Sequence, residues 1–91
     1  MTRTTYNSES LQRHGISKED VDDVLAAGVW KQLMPSDWGN DRLMFVGFTA
    51  SGRLLEIGVE YIDDENLEHV FHADDATGQY QRFFQERTGY K

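Results

Sequence analysis

The stretch RLLEIGVEYI, residues 53–62, alternates in hydropathy without a break. Leu55, Ile57, Val59 and Tyr61 fall on one side of a two-residue repeat, and Glu56, Gly58 and Glu60 fall on the other. That period belongs to a β-strand, in which successive side chains point to opposite faces. A strand apolar on one face needs strand neighbours and a cover for that face. This stretch therefore commits the chain to a sheet with something packed on it.

The neighbours follow from the flanking residues. Residues 42–48 are apolar and β-prone, and Thr49-Ala50-Ser51-Gly52 has the composition of a hairpin loop. Asp63-Asp64-Glu65-Asn66 predicts the next turn, after which residues 67–73 return as a strand. Upstream, residues 29–34 predict a further strand, followed by a polar turn at residues 35–40. Short turns make neighbouring strands antiparallel, so the expected sheet has about four antiparallel strands.

Outside the sheet the period is helical. Ser17 and Asp20 have the spacing of a capping box, and Ile16 and Val21 that of a hydrophobic staple. Val21, Val24 and Leu25 then share a face, and Gly28 is placed to end the helix. Residues 8–14 predict a shorter helix stopped by Gly15. A C-terminal helix is expected from about residue 75 to residue 87, with Ala76, Tyr80, Phe83 and Phe84 as its inner stripe. The pattern predicts an α+β fold: one domain, 1–91, with N-terminal helices and a C-terminal helix packed on one face of the sheet. Residues 1–7 are polar and expected to be frayed.

Composition limits the function classes. The formal net charge is -7. An acidic surface repels RNA unless its basic residues cluster on one face. The chain has no cysteine, so it has neither a disulfide framework nor a thiolate metal site, which fits the cytoplasm. No apolar run approaches the ~20 residues of a membrane span, and residues 1–6 carry no apolar signal core. Neither a membrane partner nor a cofactor is expected.

Four side chains are candidates for chemistry. His69 and His72 lie close to Asp74 and Asp75, a set that resembles metal or acid–base ligands on paper. On a regular strand, residues three apart face opposite ways, so the imidazoles do not converge without a strand distortion or a second chain, and no metal site is expected. The plain reading makes His72 a solvent-face residue near Glu68, and Asp74 and Asp75 the acidic cap of the last helix. Arg42 and Arg53 flank the central hairpin. Side by side they would hold a phosphate; the plain alternative pairs each with a nearby acid such as Asp41 or Glu60. Trp30 reads as core, whereas Trp38, in the polar PSDWGND, is a contact candidate for a nucleotide or a protein.

Several stretches taken together resemble the BrnT-type toxins. RHGISKEDVDDVL (13–25) is similar to that family's KHGVSFEEAxxVF segment. RLMFVG (42–47) and SGRLLEIGVEY (51–61) are similar to its central hairpin. VFHADDAT (70–77) stands where the family has an apolar strand end followed by Ser-Ala-Arg-Lys-Ala-Thr. The resemblance spans roughly residues 11 to 87, by the order and spacing of these motifs. It implies a RelE-like fold, metal-independent cleavage of RNA in the cytoplasm, and a cognate antitoxin as partner. Asp74 and Asp75 replace the family's Arg-Lys pair, Gly78 and Gln79 replace basic positions, and Phe84 replaces a tyrosine. The N-terminal Trp-Asp strand has no counterpart in residues 1–10.

Cleavage of RNA through its 2′-hydroxyl needs a base, an acid and cations at the developing phosphorane charge. With the family's basic pair replaced, the expectation is a divergent member whose activity is weakened or lost. In a rearranged site Arg42 and Arg53 would supply the cations, and His72 or His69 would move the proton. Against this, Glu56, Glu60 and Glu68 are expected on the open face of the sheet, where they would repel the substrate. The other expectation is thus a non-catalytic module that binds a protein partner or itself, as a homodimer.

Overall fold

A computed structural model of the chain describes residues 3–27, 30–34 and 41–88. Strands β2 (Trp30–Met34), β3 (Asp41–Phe48), β4 (Leu54–Ile62) and β5 (Leu67–Asp75) pair antiparallel in sequence order, as the alternation predicts. The β3–β4 loop closes as a hairpin, with the Thr49 N–H donating to the Arg53 carbonyl at 2.9 Å. Gly52 makes that turn in the left-handed region, at φ 88°. Gly28, Val29 and the polar turn at residues 35–40 lie outside the described residues.

A fifth strand joins the sheet where the sequence predicts a frayed terminus. Strand β1 (Arg3–Tyr6) runs parallel to β5 and completes the order β1-β5-β4-β3-β2. The sheet is therefore mixed rather than wholly antiparallel. The Arg3 N–H donates to the Asn66 carbonyl at 2.9 Å, and the Thr4 hydroxyl donates to Glu68 at 2.7 Å. Tyr6 packs against the core. These partners lie far along the chain, so the local polarity of the first residues carries no trace of them.

Helices α1 (Ser8–Arg13) and α2 (Lys18–Ala27) follow β1. The capping box forms as spaced: the Asp20 N–H donates to the Ser17 hydroxyl and the Ser17 N–H to the Asp20 carboxylate, both at 3.0 Å. Val21 and Val24 are buried against Leu55, Ile57, Val59, Val70 and Ala73, with Leu11 and Ile16 beside them. Each fully buried aliphatic side chain contributes about 1.5–3 kcal/mol. This cluster occupies the face that the alternation in β4 marks as apolar.

The C-terminal helix covers the other face. Met44 and Val46 are in register with Gly58 and Glu56, opposite the side taken by α1 and α2, yet only 4% and 1% of their surfaces are exposed. Helix α3 (Gly78–Thr88) packs there, with Phe84 edge-on to Phe48 at 5.6 Å between ring centroids. Helices thus flank both faces, whereas the sequence pattern assigns them all to one. Helix α3 also starts later than predicted, because Asp74 and Asp75 remain in β5 paired with Glu56 and Leu55. They do not cap the helix. Among the described residues, no helix is long and apolar enough to cross a membrane.

The ladder between β4 and β5 contains one irregularity. Gly58 pairs with His72 while the next residue, Val59, pairs with Val70, which leaves Phe71 as an inserted residue. The Phe71 ring lies directly over Gly58, so that a Cβ there would stand 2.7 Å from Cζ. Gly58→Ala is accordingly expected to lower stability by about 1–3 kcal/mol through overpacking. In a Phe71→Ala background the same substitution should cost far less, a coupling that urea denaturation of the double-mutant cycle measures.

Candidate functional site

The inserted Phe71 reverses the side-chain alternation of β5 toward its N-terminal end. His72 lies opposite Gly58 and His69 opposite Glu60, and Gly58 and Glu60 share one face of β4. The two imidazoles, three residues apart, therefore project from the same face. Arg42 pairs with Glu60 from the other side, and Thr5 pairs with His69. The register thus draws a transverse row Thr5–His69–Glu60–Arg42 across four strands, with His72 one step along. Three of the four candidates meet on one face through the strand distortion that convergence requires.

Short contacts fix this row. The Arg42 Nε donates to Glu60 Oε1 at 2.8 Å, and its guanidinium carbon stands 4.7 Å from the Phe71 ring centroid. The aromatic face and the carboxylate together hold the guanidinium in place. The His69 Nδ1 lies 2.7 Å from the Thr5 hydroxyl. The site is partly shielded, with 29% of the Arg42 side chain and 16% of that of Glu60 exposed.

His72 has a different setting. Its Nε2 lies 2.9 Å from Glu56, whose other oxygen accepts from both the N–H and the hydroxyl of Thr77. Glu56 is buried and fully partnered, and it ties β4, β5 and the residue before α3 together. The expected neighbour of His72, Glu68, instead pairs in register with Tyr61 on the opposite face, because the inserted residue moves it there. Of the three carboxylates expected to repel RNA, one is turned away, one is buried beneath His72 and Thr77, and one is paired with Arg42.

Arg53 does not join the row. Arg42 and Phe48 are six strand residues apart, about 20 Å, and Arg53 directly precedes Leu54, the partner of Phe48. The two guanidiniums sit at opposite ends of the hairpin and form no shared clamp. Arg53 grips both Asp75 oxygens, at 2.6 and 3.0 Å, and donates to the carbonyls of His14 and Gly15. Asp74 in turn lies 3.2 Å from the His14 Nδ1. Asp74 and Asp75 therefore fasten the end of β5 to the α1–α2 connection.

Trp38 lies outside the described residues, and so does the Trp30 side chain. Among the described residues, no three histidine or carboxylate groups gather as a metal site. A cavity of about 280 Å³ lies between β1 and α1, lined by Tyr6, Leu11, Ile16 and Lys18 among others. Its lining contains no histidine or carboxylate. Neither Phe71 nor Thr5 stands out in the sequence as a member of the site, and Glu60 is marked only as a partner for an arginine or as a carboxylate that repels RNA. Gly58 inside an alternating strand was the available signal, since interior glycines mark bulges or close approaches.

The chain matches no protein-family model and no curated protein.

Two expectations separate the roles of these groups. His72→Ala strips the buried Glu56 carboxylate of a donor and should cost about 1–3 kcal/mol in urea denaturation, most of it regained in His72→Gln. The Arg53 guanidinium holds the Asp75 carboxyl below its ordinary value of 3.8. A depressed folded-state value gives stability that is present at neutral pH and lost as pH falls below about 4. The pair is exposed, so the effect is at most about 1 kcal/mol. The Tm gap between wild type and Arg53→Met should therefore narrow from pH 7 to pH 3.

Proposed function

We propose that this protein is a divergent toxin component of the BrnT type, a metal-independent endoribonuclease working on the bulged face of its sheet. A cognate antitoxin-like protein would hold it in check in the cytoplasm. One observation carries this reading: the inserted Phe71 turns His69 to the face that holds Arg42 and Glu60. A cation and proton-transfer groups on one side of a rigid sheet are what attack of a 2′-hydroxyl on the adjacent phosphate requires. The burial of Glu56 against His72 and Thr77 also supports it, since the substrate does not meet that carboxylate.

A second reading has its own support. The same candidate side chains are engaged in short contacts, the chain carries a net charge of -7, and Leu33 on the end strand β2 is 63% exposed. A non-catalytic module that binds a basic protein partner, or a second copy of itself, fits those facts.

The two separate in one set of assays. The ribonuclease reading expects growth arrest on expression in a bacterium and cleavage of an RNA oligonucleotide at low salt. Arg42→Ala should reduce cleavage about 10²–10³-fold, the usual effect of removing one group that stabilises transition-state charge. Arg53→Ala, at the far end of the hairpin, should leave the rate of the folded protein unchanged. Absence of both growth arrest and cleavage would overturn this reading. A chain that stays monomeric and recovers no partner in a pull-down would overturn the second.

A further inference from the structure

The row leaves open which groups exchange protons with the substrate, and the contacts distinguish them. We infer that Glu60 and His69 form the acid–base pair of the site, that Arg42 neutralises the phosphate, and that His72 is a structural group. This inference rests on the ribonuclease reading above.

His69 and His72 differ in which ring nitrogen is already engaged. The His72 Nε2 lies against buried Glu56, which also anchors Thr77 at the start of α3. Withdrawing it would strand a buried carboxylate. His69 is held at Nδ1 by Thr5, and among the described residues no hydrogen bond engages its Nε2. A ring fixed at one nitrogen presents the other in a set orientation, the arrangement that proton transfer uses.

Glu60 and His69 stand directly opposite each other on neighbouring strands. Such pairs have Cβ atoms roughly 4.5–5.5 Å apart, so their tips can flank a single phosphodiester. Arg42 stands on the far side of Glu60, bonded to it through Nε, with the Phe71 ring fixing its plane.

The step balances without any further reactant. The Glu60 carboxylate takes the 2′-hydroxyl proton, and the 2′-oxygen forms a bond to phosphorus. The bond from phosphorus to the 5′-oxygen breaks, and the leaving oxygen takes a proton from the His69 imidazolium. The products are a 2′,3′-cyclic phosphate and a free 5′-hydroxyl. Water then returns the proton from Glu60 to His69.

The test uses an RNA oligonucleotide, its 2′-deoxy counterpart, and uridine 3′-(4-nitrophenyl phosphate), whose aryl leaving group needs no proton. Wild type should yield a cyclic phosphate, spare the deoxy substrate and show a bell-shaped pH–rate profile. Glu60→Gln should lose about 10²–10⁴-fold on RNA and on the aryl ester, and should lose the acidic limb. His69→Gln should lose the alkaline limb on RNA yet retain most of its rate on the aryl ester. His72→Gln should keep both limbs. If circular dichroism shows Glu60→Gln unfolded, Glu60→Asp replaces it and should lower the rate while keeping the acidic limb.

Cleavage by wild type with both limbs intact in the Glu60 and His69 variants would overturn this assignment and leave the ribonuclease reading standing. So would a His72 variant that loses a limb while the His69 variant does not. No cleavage of RNA by folded wild type would overturn both.

Discussion

One inserted residue in β5 organises this molecule. A regular strand would turn His69 and His72 to opposite faces, and would leave Glu68 on the face of Glu56 and Glu60. Phe71 shifts the pairing by one, so that Val59 meets Val70 and Glu60 meets His69. The side chains before the insertion exchange faces relative to those after it. The insertion is tolerated because Gly58 has no Cβ where the Phe71 ring lies. The same ring then supports Arg42, so the distortion, the glycine and the cation form one unit.

The acidic composition gives a misleading picture of this face. Its carboxylates are committed to partners: Glu56 to His72 and Thr77, and Glu60 to Arg42. Asp74 and Asp75, at the end of β5, are held by His14 and Arg53. A net charge describes the long-range field and the solubility of a protein, whereas recognition at a site depends on the groups within a few ångströms. The formal charge of -7 therefore weighs against RNA in bulk without deciding the chemistry at Arg42.

What the sequence reveals here is what is encoded locally. The alternation over residues 53–62 gives β4 and its apolar face, and the Ser17–Asp20 spacing gives the start of α2 and its reciprocal hydrogen bonds. Strand β1 escapes such reading because Arg3, Thr4 and Thr5 are fixed by Asn66, Glu68 and His69. The start of α3 escapes because Arg53, 22 residues upstream, holds Asp75 in the strand. The site was half visible. Arg42, His69 and His72 stand out by residue type, and Glu60 as a neighbour in the hairpin, but the register that gathers them depends on a single inserted residue.

The most direct test of this arrangement asks whether a phosphodiester binds the bulged face of the sheet. Titration of a non-cleavable 2′-O-methyl RNA dinucleotide into isotope-labelled protein at low salt, followed by NMR, reads this residue by residue. Amide and side-chain shifts concentrated at Arg42, Glu60, His69 and Phe71, with little change around Arg53 and His14, are the expected result. Shifts confined to the Arg53 end of the hairpin, or none at all at millimolar ligand, would contradict it.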